Sequence, residues 1–223
     1  MALRMDVQPD ADGLATRAAE LVAAQAASAV ADQGRFTFAV SGGHTPWAMF
    51  AHLRDEQMPW EQVSIYQVDE RVAPDGDPDR NLTHLHNSLP PDANADVRPM
   101  PVTADDLDRA ADDYARSLPA AFDLIHLGLG PDGHTASLVP GDPVLQVVDR
   151  DVAVTGVYQG RRRMTLTYRL LERAPRVMWL ITGEDKVDPL RGLQAGDRSI
   201  PAGRISTADA LVVADQAAAG FKD

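Results

Sequence analysis

The residue best placed to move a proton is His134. It lies in the stretch FDLIHLGLGPDGHTASLVPG, from Phe122 to Gly141, directly after Asp132-Gly133 and beyond a strand-like run. Imidazole titrates near neutrality, so a histidine aimed into a cleft from a strand end can take a proton from water without help from a metal. Gly128, Gly130 and Gly133 in the same stretch spell G-x-G-x-x-G, the pattern of a dinucleotide-binding turn. Its context speaks against that reading. Pro131 interrupts the glycines, Pro140-Gly141 stops any helix within two turns, and Asp149 and Asp151 each precede a strand instead of ending one. The loop is therefore read as a presenter of His134, with Asp132 beside it as a second catalytic candidate.

Three more loops at predicted strand ends carry unusual residues. Ser41-Gly42-Gly43-His44-Thr45-Pro46 is a glycine turn flowing into a helix, where free backbone N–H groups and the helix dipole attract an anion. A plain tight turn is the alternative. The loop lacks G-x-x-x-x-G-K-[ST], so a nucleoside triphosphate has no support. Asp69-Glu70-Arg71 is either a solvated charge cluster or a site group, with Arg71 as a bidentate phosphate partner and Asp69 as a hydroxyl acceptor or polariser. Lys186 in TGEDKV is one of two lysines in the chain and can add a second positive group. His44 can contribute a hydrogen bond. His84 and His86 lie two apart on a predicted helix and face different ways, so they form no metal pair.

Composition narrows the function classes further. The absence of cysteine excludes thiolate catalysis and disulfides, and neither G-x-S-x-G nor H-E-x-x-H occurs. A formal charge of −12 argues against nonspecific nucleic-acid binding, so an anionic ligand needs a locally positive pocket. No apolar run is long enough to span a membrane, and MALRM holds no apolar signal core. A cytoplasmic location is expected, and nothing in the chain speaks for a particular oligomeric state.

These residues need elements to position them. Leu14, Ala18, Leu21, Val22, Ala26 and Ala29 recur at helical spacing between Asp10 and Asp32, before Gly34. RFTFAV, VSIYQV, FDLIHLGLG, DVAVTGVY, RMTLTYRLL, RVMWLITG and DALVVAD read as strands. TPWAMFAHL, with Thr45 as N-cap and Pro46 at the first helical position, reads as a helix. Further helices are predicted from about Asn81, over 103–118 and in EDKVDPLRGL. The alternation predicts one α/β domain over 1–223, with a doubly wound, mostly parallel sheet and helices on both faces. Ligands of such sheets bind beyond the carboxyl ends of the strands.

Taken together, VSGGHTP, VDERVAP with Arg80-Asn81 after it, LGLGPDGHTASLVPG, RMTLT and ITGEDKV resemble the 6-phosphogluconolactonase family, in that family's order. The resemblance implies a fold like that of glucosamine-6-phosphate deaminase. It also implies hydrolysis of 6-phospho-D-glucono-1,5-lactone to 6-phosphogluconate, in the oxidative pentose phosphate pathway. The implied partner is that small sugar-phosphate lactone, with neither cofactor nor metal. His134 matches the family's general base, Arg71 and Lys186 its phosphate ligands, Asp69 the acid beside that arginine, and Arg163 the start of R-x-T-L-T.

Two departures stand out. His44 replaces the family's Ser or Thr, and Arg161-Arg162 replace proline; these two arginines are read as a solvated run. A deaminase or isomerase of the same fold shares the acidic pair and the D-G-H loop. Its pattern then supplies a glutamate partner for the histidine, which Ser137-Leu138-Val139-Pro140 lacks. A non-catalytic sugar-phosphate sensor is the other alternative.

Overall fold

Strand β2 (Phe36–Val40) is buried along its whole length, as a strand covered on both faces must be. In the computed structural model, which describes residues 3–205 and 209–221, it lies inside a seven-stranded sheet. The other members are β1 (Arg4–Gln8), β3 (Val63–Gln67), β5 (Asp96–Arg98), β6 (Leu124–Leu127), β9 (Arg176–Ile181) and β10 (Asp209–Asp215). The order is β1-β10-β9-β6-β2-β3-β5, and every neighbouring pair is parallel. A second, antiparallel sheet joins β4 (Asp69–Arg71), β8 (Arg163–Leu166) and β7 (Val152–Val154) in the order β4-β8-β7.

Helix α1 (Ala11–Gln33) starts where the Asp10 side chain accepts the Gly13 N–H and stops at Gly34, whose φ of 76° a side chain would disfavour. Its buried stripe of Leu14, Ala18, Val22 and Ala26 packs with Met49 and Phe50 of α2 (His44–His52) on one face of the large sheet. On the other face, α4 (Leu107–Ser117), α5 (Tyr168–Leu171) and α6 (Val187–Ala195) share a second core with the antiparallel sheet. Helix α3 (Asn81–Ser88) follows β4. From β2 the chain moves to β3 and β5 on one side, while β6, β9 and β10 lie on the other. The loops after β2 and β6 therefore part at a topological switch point, where parallel sheets open a crevice.

The doubly wound architecture is as expected, with corrections in detail. Edge strands β1 and β5 were not predicted; β5 is three residues long with no residue fully buried, too short for a periodic pattern. DVAVTGVY is a strand only over Val152–Val154, and RMTLTYRLL becomes helical from Tyr168. Helix α4 begins at Leu107, not at 103, because the Asp106 carboxylate caps it by accepting the Arg109 N–H. Thr45 is not an N-cap: Gly43 takes that place, and Thr45 Oγ1 lies 3.1 Å from Thr182 Oγ1.

Two buried polar groups hold these parts in register. Glu70 has no exposed surface. Its carboxylate accepts from Gln67 Nε2 and from the backbone N–H groups of Arg71, Asn81 and Leu82, each at 2.8 Å, and pairs with Arg80 Nε at 3.0 Å. It is a structural clasp between β4 and the first turn of α3, not a solvated charge. His126 of β6 is likewise fully buried: its Nδ1 lies 3.3 Å from the Ser41 N–H, and its carbonyl accepts from Ser41 Oγ at 3.2 Å. Burial pushes the imidazole down to about 3, so the ring is neutral and Nδ1 is the acceptor.

Removing one partner of a buried, fully bonded ion pair leaves an uncompensated charge. Glu70→Ala is expected to lower stability by about 3–5 kcal/mol in urea unfolding. For His126, the unfolded ring binds a proton near pH 6.5 whereas the folded ring stays neutral down to about 3. Its contribution is complete above about pH 6.5 and is lost as pH falls toward 3, at up to roughly 1.4 kcal/mol per pH unit. Urea melts between pH 7 and 5 should show this slope in the wild type and its absence in His126→Gln.

Candidate active site

A cleft of about 640 Å³ opens where the loops after β2, β3, β6 and β9 converge. All the predicted site residues line it except Asp132, which stands behind His134. The four loops follow four strands that are neighbours in the sheet, in the order β9-β6-β2-β3.

The glycines of the Phe122–Gly141 stretch have a purpose unrelated to a dinucleotide. A Cβ on Gly130 would lie 2.1 Å from His134 Nδ1, so the residue there must be glycine for the ring to occupy its place. Gly133 has φ of 78°, and a Cβ on it would meet Ile200 at 2.5 Å. The ring that these turns present lies with Nδ1 2.5 Å from Asp132 Oδ1, and the His134 N–H donates to the same oxygen at 3.1 Å. Burial alone would raise the Asp132 pKa, but these bonds to His134 outweigh it and hold the carboxyl below its usual range. An ionised Asp132 accepts from Nδ1–H, which leaves Nε2 as the basic nitrogen. The carboxylate partner absent from the residues after His134 is thus supplied two residues before it.

On the β3 side, the antiparallel register sets Arg71 directly opposite Arg163. Like charges facing each other weaken a sheet, and they are tolerable where an anion comes between them. Arg71 Nη1 donates to the Asp79 carbonyl at 3.1 Å and to Asn81 Oδ1. Arg163 is buried, with Nη2 donating to Gln159 Oε1 at 3.1 Å and Nε without a partner among the described residues. Burial lowers its pKa, while the Asp69 charge opposes that shift. At the far side, Lys186 reaches the cleft beside Asp185, with Nζ 2.5 Å from Oδ2.

Asp69 is buried and occupied: it accepts from Ser137 Oγ at 2.6 Å and from Asn81 Nδ2 at 3.4 Å. It ties the His134 loop to β4, a bracing position for a residue predicted to be catalytic. Asn81, missed as a site residue, touches Arg71 and Asp69 and leaves no room above Gly42, where a Cβ would come 1.9 Å from its Oδ1. Gly42 therefore has to be glycine for the turn after β2 to lie this close to α3. The signals for Asn81 were its place at a helix start and its presence in the matching segment after VDERVAP. Gln159, also missed, stands in the cleft wall. Arg161 is not simply solvated, since its guanidinium pairs with Asp79 at 2.8 Å and Asp77 at 3.1 Å. Among the described residues no three His, Asp or Glu side chains converge as a metal site.

Comparison with known proteins places the chain in a family. The family model described as glucosamine-6-phosphate isomerases/6-phosphogluconolactonase matches residues 9–213. A 6-phosphogluconolactonase of Synechocystis sp. is 38% identical over 201 residues, covering 83% of this chain and 82% of that protein. The crystal structure of a 6-phosphogluconolactonase from Shewanella baltica superposes with a TM-score of 0.87 at 25% identity, over 96% of this chain and 97% of the other. A monomeric glucosamine-6-phosphate deaminase reaches 0.85 at 17% identity over 99% and 100% of the two chains, a likeness of fold alone. The chain therefore belongs to the 6-phosphogluconolactonase family, within the larger group that it shares with the glucosamine-6-phosphate isomerases.

Proposed function

We propose that this chain hydrolyses 6-phospho-D-glucono-1,5-lactone to 6-phosphogluconate, in the oxidative pentose phosphate pathway, with His134 as general base. The observation that carries the reading is a cleft histidine whose Nδ1 is engaged by Asp132 at 2.5 Å, in a pocket that also holds Arg71, Arg163 and Lys186. In this mechanism Nε2 takes a proton from water as the water oxygen bonds to the lactone C1 carbonyl. The resulting tetrahedral oxyanion is stabilised by nearby N–H donors. As it collapses, the bond from C1 to the ring oxygen breaks, and His134 returns its proton to that oxygen. Asp132 stabilises the transient imidazolium and keeps its tautomer fixed.

The positive groups and the glycine turn serve the phosphate. Arg71 and Lys186 bind it, Arg163 adds charge from the opposite strand, and Ser41 to Thr45 offer backbone donors at a helix start. Holding the far end of the substrate orients its carbonyl, which converts binding energy into rate. The substrate is a charged, freely soluble metabolite, and a cytoplasmic location is part of the same proposal. No described helix is long and apolar enough to cross a membrane.

The reading is distinguished from a deaminase by Ser137 and Leu138, both buried, where the deaminase pattern continues toward its own carboxylate. Glucosamine 6-phosphate should accordingly release no ammonia at rates comparable to lactone hydrolysis. In a coupled assay with freshly generated lactone, corrected for spontaneous hydrolysis, His134→Ala is expected to lose at least about 100-fold in kcat. It should still bind 6-phosphogluconate. Lys186→Ala should mainly raise KM. Wild-type turnover in His134→Ala would overturn the mechanism, and ligand binding without any turnover in the wild type would favour a sensor.

A further inference from the structure

Between β7 and β8 the chain reverses at Gln159-Gly160, with φ of 50° and 80°. Bonds from Tyr158 N–H to the Arg161 carbonyl at 2.9 Å and from Arg161 N–H to the Tyr158 carbonyl at 3.3 Å close this two-residue turn. Positive φ at both central residues marks a type I′ hairpin. A residue with a Cβ is disfavoured there, and Gln159 is held by its bond to Arg163. The neighbouring Tyr158 does not line the cleft, yet it touches three groups that matter to it. Its ring meets His134 edge-on, with centroids 5.6 Å apart and planes at 66°. Its face lies 5.0 Å from the Arg163 guanidinium carbon, and its hydroxyl is 3.5 Å from Asp132 Oδ2.

We propose that Tyr158 is a positioning residue that couples the His134–Asp132 pair to Arg163. The inference rests on His134 acting as the general base. The hydroxyl donates a long hydrogen bond to the outer oxygen of Asp132, which keeps Oδ1 turned toward His134. The tilted contact between the two rings restrains the imidazole, and the negative face of the phenol carries a guanidinium whose Nε has no hydrogen-bond partner among the described residues. Burial, followed by the charge of Asp132, holds the phenol above its ordinary pKa, so the donor proton stays in place through neutral pH.

Two substitutions separate hydroxyl from ring. Tyr158→Phe removes only the donor and is expected to lower kcat about threefold to tenfold, the worth of one hydrogen bond, with KM unchanged. Tyr158→Ala also removes the support of Arg163 and should in addition raise KM by about twofold to fivefold. A purely structural role would instead lower the unfolding midpoint and leave the kinetic constants of the folded fraction alone. The inference fails if Tyr158→Phe keeps the wild-type kcat, or if Tyr158→Ala shows no rise in KM beyond that of Tyr158→Phe. His134→Ala in the same assay separates the two levels. If it is inactive while the Tyr158 variants match the wild type, only the role of Tyr158 is wrong; if it is fully active, the general-base reading falls first.

Discussion

The positive side of the cleft depends on one buried carboxylate. Glu70 has no exposure, and its two oxygens bind the first N–H groups of α3, the Arg71 backbone, Gln67 and Arg80. A charge removed from water to this extent is tolerable only when every lone pair is used. In using them, Glu70 fixes where α3 begins relative to β4. That in turn sets Asn81 beneath Gly42 and beside Arg71. The glycine turn after β2, the arginine and the helix therefore share a single anchor that lines no part of the cleft itself.

A protein with a formal charge of −12 must build its anion site locally, since its long-range field repels the ligand. The run Arg161–Arg163 illustrates how unevenly positive charge is distributed beside the cleft. Arg161 is neutralised by Asp77 and Asp79, Arg162 is exposed, and Arg163 is buried opposite Arg71 with its Nε unpaired among the described residues. Three adjacent residues of one type thus stand in three different electrostatic settings, and only the innermost lines the cleft.

The same scaffold holds a deaminase and a lactonase, as the fold likeness to both makes plain. The shared fold leaves open which partners surround the histidine. Here the nearest carboxylate is Asp132, within the same tight turn, while Ser137 is turned away to Asp69. Proton chemistry is assigned by which neighbours the loop can reach, and the sheet beneath it supplies only a rigid edge on which to build that loop.

Local order was legible without coordinates. Helix α1, strands β2, β3, β6, β9 and β10, and the four loops at strand ends follow from apolar periodicity, capping residues and turn residues, all of which act between near neighbours in the chain. His134, Arg71 and Lys186 could be picked out because their types are unusual at strand ends, whereas Arg163 was marked only by the resemblance of RMTLT to the family's segment. Tertiary structure alone decided that Asp69–Arg71 is a strand, that Glu70 is a clasp, that His126 braces Ser41 from 85 residues away, and that Tyr158 reaches His134. Those contacts join residues remote in sequence. Their energies depend on burial and on which strands end up side by side, and neither quantity is encoded in any short window of the chain.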